Sequence, residues 1–199
     1  MKPKETYKVL LIGSGFSANE LNNYPYKENG WTIVVINHGY MATDAWTYMI
    51  HSTDFKGTKP TPRSDQLMTS AYGEAVKHFG GHQECGYSVT LCTSYWVLIN
   101  LKPKYMGYLG CDMNYTPNEK GDTHIYGLGL DFKKNKISDP DRMIKQHGKG
   151  DPAFLSTIYM RFVKKAIDFN DTKVYNFSSD PDTRLPYTKI KPADLDRSI

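Results

Sequence analysis

Short apolar runs ending in small or polar residues alternate with longer amphipathic stretches along this chain. Residues 7–12, Tyr-Lys-Val-Leu-Leu-Ile, run into Gly13-Ser14-Gly15. A nearly continuous apolar run closed by a glycine turn predicts a parallel strand buried on both faces. Ser17 and Glu20 have capping-box spacing, so a short helix is expected over residues 18–23. Residues 31–37 repeat the apolar run and stop at Asn37-His38-Gly39, completing a βαβ unit over residues 7–37. A third strand is expected over residues 45–50, running into His51-Ser52-Thr53-Asp54.

Residues 56–66 combine Pro60 and Pro62 with Gly, Thr, Ser and Lys, and read as an exposed connection. Residues 67–87 carry no decisive period. Val89, Leu91, Cys92, Trp96, Val97 and Ile99 predict a helix over residues 88–100, stopped by Pro103. Residues 105–111 form another buried strand, which delivers Asp112 and Tyr115 at its end. Residues 116–150 are rich in Gly, Asn, Asp, Lys and Pro, and a stretch of that length inside a compact domain predicts a lid or binding loop. Asp151-Pro152 then opens a helix to about residue 169, with Phe154, Leu155, Ile158, Phe162, Val163 and Ile167 at helical spacing. A last strand is expected over residues 173–177, and the tail beyond Ser178 reads as irregular. The expected fold is therefore α/β, a single Rossmann-like domain over residues 1–199 with a mostly parallel sheet, helices on both faces and a lid-like loop at about 116–150.

Composition narrows the class of partner. With 39% hydrophobic and 23% charged residues the chain has enough apolar sequence for a packed core, which excludes a disordered segment. The net charge of +4 is spread along the chain, so no nucleic-acid footprint follows from it. Fifteen tyrosines favour a wet, ligand-facing cleft. Cys85, Cys92 and Cys111 are an odd number without CxxC spacing, and residues 1–6 contain no apolar stretch of signal-peptide or membrane-span length. A cytoplasmic protein without a membrane span is expected.

In open α/β sheets, ligands bind beyond the carboxyl ends of the strands, where the polar residues of this chain collect. Gly13 and Gly15 would let backbone approach a phosphate, with Ser17 adding a hydroxyl. Ala18 stands in place of the third glycine of GxGxxG, which argues against an ordinary NAD site, and there is no Walker lysine. His78, His82 and Cys85 have ligand-like spacing. Phe79-Gly80-Gly81 breaks the helix such a pair needs, so the histidines read as loop residues. Asn114 makes Asp112-Met113-Asn114 a poor divalent clamp, and no GxSxG elbow marks a hydrolase. No essential metal is expected.

Residues 8–17, Val35-Ile36-Asn37, Thr93-Ser94, residues 109–115, and His147 ahead of the helix at Pro152 carry a resemblance. Together they make the chain resemble metal-independent bacterial sialyltransferases of lipooligosaccharide synthesis and the wider pterin-diphosphokinase-like Rossmann proteins, which include uncharacterised phage proteins. The resemblance implies a nucleotide held by Gly13, Ser14, Gly15, Ser17 and Asn37, with Thr93, Ser94 and Asp112 beside it. It implies Tyr115 and Tyr126 on the leaving phosphate and His147 as the base, with His51 and His124 as alternatives. The implied activity is transfer of a sugar from a nucleotide-activated donor to a hydroxyl acceptor, with no cofactor. Ser14, Phe16 and Tyr95 depart from the sialyltransferase pattern, so neither donor base nor sugar is specified. Diphosphokinase-like phosphate transfer and a non-catalytic nucleotide-binding module, phage-encoded or not, stay open, as does a homo-oligomer. DNA as acceptor is raised by the phage likeness alone, because the sequence shows no basic stripe or aromatic platform.

Overall fold

A computed structural model describes residues 2–86, 88–127 and 152–199. Its centre is one sheet of seven strands: β1 Lys8–Ile12, β2 Trp31–Ile36, β3 Tyr48–Ile50, β4 Leu67–Thr69, β5 Tyr105–Leu109, β6 Lys173–Asn176 and β7 Thr188–Lys189. Every pairing is parallel, in the order β4-β3-β2-β1-β5-β6-β7. The chain builds outward from β1 to β4, then crosses back to lay β5 against the other side of β1. That reversal makes the carboxyl ends of β1 and β5 a topological switch point, where open α/β sheets form their crevice.

The apolar runs look continuous in sequence because both faces are covered. Val9, Leu11, Val34, Ile36, Tyr48 and Ile50 point into one core, together with side chains of α1 Gly73–His78, α2 Val89–Leu101 and α3 Pro152–Asn170. Leu10, Ile12, Ile33, Val35 and Met49 point into the other, roofed by a 3-10 helix over Phe16–Asn23 and by α4 Pro192–Ser198. Gly107 stands within β5 because the Phe177 ring occupies its side-chain space: a Cβ there would lie 1.9 Å from Phe177 Cε2.

Three expectations need correction. The helix expected at 18–23 is a 3-10 helix, and Glu20 accepts from the Ser179 amide at 3.1 and 3.2 Å. The third strand begins only at Tyr48, and the ambiguous stretch resolves into β4, α1 and a 3-10 turn over His82–Cys85. The tail is not irregular. It adds β7 and α4, too short to show a period, and a tertiary contact holds the helix: the Asp196 carboxylate accepts from Lys8 Nζ (3.1 Å), Trp31 Nε1 (3.0 Å) and the Tyr24 hydroxyl. Burial works to raise the Asp196 pKa, and the bonds from Tyr24, Trp31 and Lys8 outweigh it, so the carboxyl titrates below its ordinary range. Asp196→Ala should lower stability by about 2 kcal/mol, because it strands three donors at a half-buried seam. A urea unfolding midpoint indistinguishable from wild type would refute that tether.

Candidate functional site

At the switch point the β1 turn and the β5 end lock together. Gly13 N donates to Leu109 O (2.8 Å) and Gly15 N to Gly110 O (2.7 Å). Ser17 N donates to Asp112 Oδ2 (3.1 Å), while Ser17 Oγ donates to Asp112 Oδ1 (2.6 Å) and accepts from Gly110 N (2.7 Å). Side chains are excluded here by close packing: a Cβ on Gly13 would lie 2.2 Å from Gly110 O, and one on Gly15 2.6 Å from Asp112 Oδ2 and 3.0 Å from Gly110 O. Asp112 is buried, which raises its pKa against the opposing pull of the Ser17 bonds. The protein thus supplies its own carboxylate at the start of the 3-10 helix, where the sequence reading expects a ligand phosphate. The amides of Gly13, Gly15 and Ser17 are all bonded within the protein.

The neighbouring strand end is joined in the same way. Asn37 adopts a left-handed conformation (φ +49°), and its Oδ1 accepts from Ser52 N (2.9 Å), tying the end of β2 to the end of β3. The following 3-10 helix, Asn37–Ala42, lies against β1 so closely that a Cβ on Gly39 would meet Ile12 O at 2.2 Å. His38 is thereby carried to the end of β1.

Residues 123–127 cross above the glycine turn, with Ile125 N donating to Ser14 O (3.0 Å) and His124 and Gly127 exchanging backbone bonds (3.1 and 3.0 Å). This crossing sets five rings in a row. Tyr115 packs on His124 (centroids 5.7 Å), His124 stacks on Tyr126 (5.0 Å), Tyr126 lies tilted against His38 (4.1 Å), and His38 meets Phe55 edge-on (4.7 Å). Burial, and then the neighbouring His38, push the His124 pKa down to about 4. Burial also lowers His38. Both imidazoles are neutral near pH 7, and a 2.8 Å contact between Thr123 Oγ1 and His124 Nδ1 orients the second ring. A neutral imidazole among phenol hydroxyls has a lone pair to take a proton and donors beside it to stabilise negative charge.

The expected site residues divide into two groups. Ser14, Gly15, Ser17, Asn37, Asp112, Tyr115 and Tyr126 gather at this edge, as does the alternative base His124. Thr93 and Ser94 do not: both are fully buried in α2, where Ser94 Oγ donates to Thr90 O (2.8 Å) and shares a 2.7 Å bond with the Tyr108 hydroxyl. Buried His51 has its Nδ1 2.8 Å from Ser52 O. His147 and most of the expected lid lie outside the described residues. His38 and Thr123 are members that the sequence reading missed, although His38 directly follows Asn37 at a strand end. Among the described residues, one group has ligand atoms close enough for a metal, His82, Cys85 and Cys92. His78 is outside that group and packs on Phe79 and Phe169.

No family model, curated protein or solved structure matches the chain. No helix among the described residues is long and apolar enough to cross a membrane.

Proposed function

We propose that this chain is a glycosyltransferase-like enzyme that binds a nucleotide-activated sugar at the carboxyl edge of its sheet and passes the sugar to a hydroxyl acceptor without a metal. The observation that carries this reading is the row of neutral imidazoles and tyrosines lying over the β1 turn at the switch point. Asn37, whose Oδ1 is bonded to Ser52, keeps its amide NH2 for a ligand oxygen. With the Gly13, Gly15 and Ser17 amides already bonded, the leaving phosphate is met by the hydroxyls of Tyr115 and Tyr126.

In the transfer, the acceptor oxygen bonds to the anomeric carbon as the bond from that carbon to phosphate oxygen breaks. The electron pair stays on the phosphate, and the acceptor proton passes to the His124 imidazole. His124 is the base that the described residues favour over His51, whose ring is held at its own strand end. His147 is the alternative that the resemblance supplies. The free thiols Cys85, Cys92 and Cys111 support a reducing compartment, and we place the protein in the cytoplasm.

Titration calorimetry with CMP-, UDP-, GDP- and dTDP-sugars should show binding of at least one donor, and silence across that panel would overturn the reading. His124→Ala should lower turnover by roughly 10²- to 10⁴-fold while leaving donor affinity within a few-fold of wild type. Strict dependence on added Mg²⁺ would point instead to diphosphokinase-like phosphate transfer, and tight binding with no turnover to a binding module.

A further inference from the structure

We propose that His82, Cys85 and Cys92 form a three-ligand zinc site at the start of α2, with the fourth coordination position left to water. The chain is shaped to bring them together. After α1, Gly80 (φ +110°) and Gly81 (φ +85°) turn it into the His82–Cys85 3-10 helix, and left-handed Gly86 (φ +53°) ends that helix ahead of α2. Cys85 Sγ then lies 3.2 Å from Cys92 Sγ and 3.9 Å from His82 Nδ1, and the three ligand atoms fall within 4.8 Å of one another. A tetrahedral zinc ion, with Zn–S about 2.3 Å and Zn–N about 2.0 Å, separates its sulfurs by about 3.8 Å and sulfur from nitrogen by about 3.6 Å. The two contacts at Cys85 bracket those separations: the sulfurs must part by about 0.6 Å and the imidazole must close by about 0.3 Å. The exposed His82 ring can swing in to complete the third.

Charge and ligand type select the ion. Cys85 and Cys92 are buried in the core that also holds Val76, Leu91 and Tyr95. Two thiolates cancel the charge of one divalent cation, so the bound site adds no net charge to an apolar surrounding. Thiolate and imidazole together suit zinc and leave magnesium and calcium without their oxygen ligands. Binding releases the two thiol protons to solvent, and exposed His82 marks the route by which the ion enters. The site draws on none of the carboxyl-edge residues and stands or falls independently of the transferase reading.

The full chain, treated with chelator and reductant and then titrated with Zn²⁺ against a chromophoric chelator, should bind one ion per chain. Co²⁺ in its place should give the intense charge-transfer absorption of thiolate coordination. His82→Ala removes an exposed side chain, and should weaken Zn²⁺ binding at least tenfold. Cys92→Ser, which leaves Cys85 as the one thiolate, should lower the cobalt–thiolate band to about half or less, with far-ultraviolet circular dichroism showing that the fold is kept. The proposal is overturned by binding below one equivalent, by wild-type affinity in His82→Ala, or by a cobalt complex lacking the thiolate band. Recovery of Cys85 and Cys92 as a disulfide in metal-free protein purified without oxidant would also overturn it.

Discussion

Gly13→Ala is expected to leave little folded protein. The new Cβ would lie 2.2 Å from Gly110 O, 2.8 Å from its carbonyl carbon and 2.9 Å from Cys111 Sγ. Two of those three atoms are backbone, so no rotamer change relieves the clash. Gly110 cannot retreat: it is itself left-handed (φ +63°), and a Cβ on it would lie 2.7 Å from Gly13 O and 2.8 Å from the Ala18 Cβ. Relief requires moving the end of β5 away from β1, which breaks the Gly13–Leu109 and Gly15–Gly110 bonds and pulls Asp112 off Ser17. We expect a loss of at least about 4 kcal/mol, a large part of the 5–15 kcal/mol that holds a typical domain together. Gly73→Ala is the control, since a Cβ there meets nothing within 4 Å. It should be neutral, or stabilising by up to about 1 kcal/mol. Denaturant unfolding of the two variants checks both, and a Gly13→Ala protein as stable as wild type would show that the two turns are not packed this tightly.

Acid should weaken the fold well above the carboxylate range, through His124. Burial and the nearby His38 lower its pKa from 6.5 to about 4. The unfolded chain takes up this proton near pH 6.5, whereas the folded protein resists it until about pH 4. The unfolded state therefore binds more protons between those values. The stabilisation is complete above pH 6.5 and is lost as pH falls through the window, at up to about 1.4 kcal/mol per pH unit and roughly 3 kcal/mol in all. His38, shifted in the same direction by its own burial, adds to the slope. Urea titrations between pH 4 and pH 7 should show wild-type stability rising with pH and a flatter profile for His124→Gln. Parallel profiles for the two proteins would mean that the ring is solvated and takes up its proton normally.

Much of the scaffold is written in consecutive residues. Strands β1, β2 and β5 are legible because covering both faces demands unbroken apolar sequence, and α2 and α3 because their buried residues recur at helical spacing with Pro103 and Pro152 at the boundaries. The short pieces are not legible in this way. Two-residue β7 exists through its pairing with β6, and α4 is held by Lys8, Trp31 and Tyr24 from the opposite end of the chain. Glu20 shows how local spacing misleads: it has the position of a capping residue, yet its carboxylate is bonded to Ser179, 159 residues away.

The candidate site divides along the same line. That polar residues such as Ser17, Asn37 and Asp112 stand at strand ends follows from where each apolar run stops, a feature of consecutive residues. That Asp112 bonds Ser17 across 95 residues, that His124 stacks near His38, and that Thr93 and Ser94 are sealed in the core were decided only in three dimensions. Burial on one face or two leaves a periodic trace within a single segment. Which strand lies beside which, and which loop crosses above them, is a balance of contacts between distant segments and leaves no such trace.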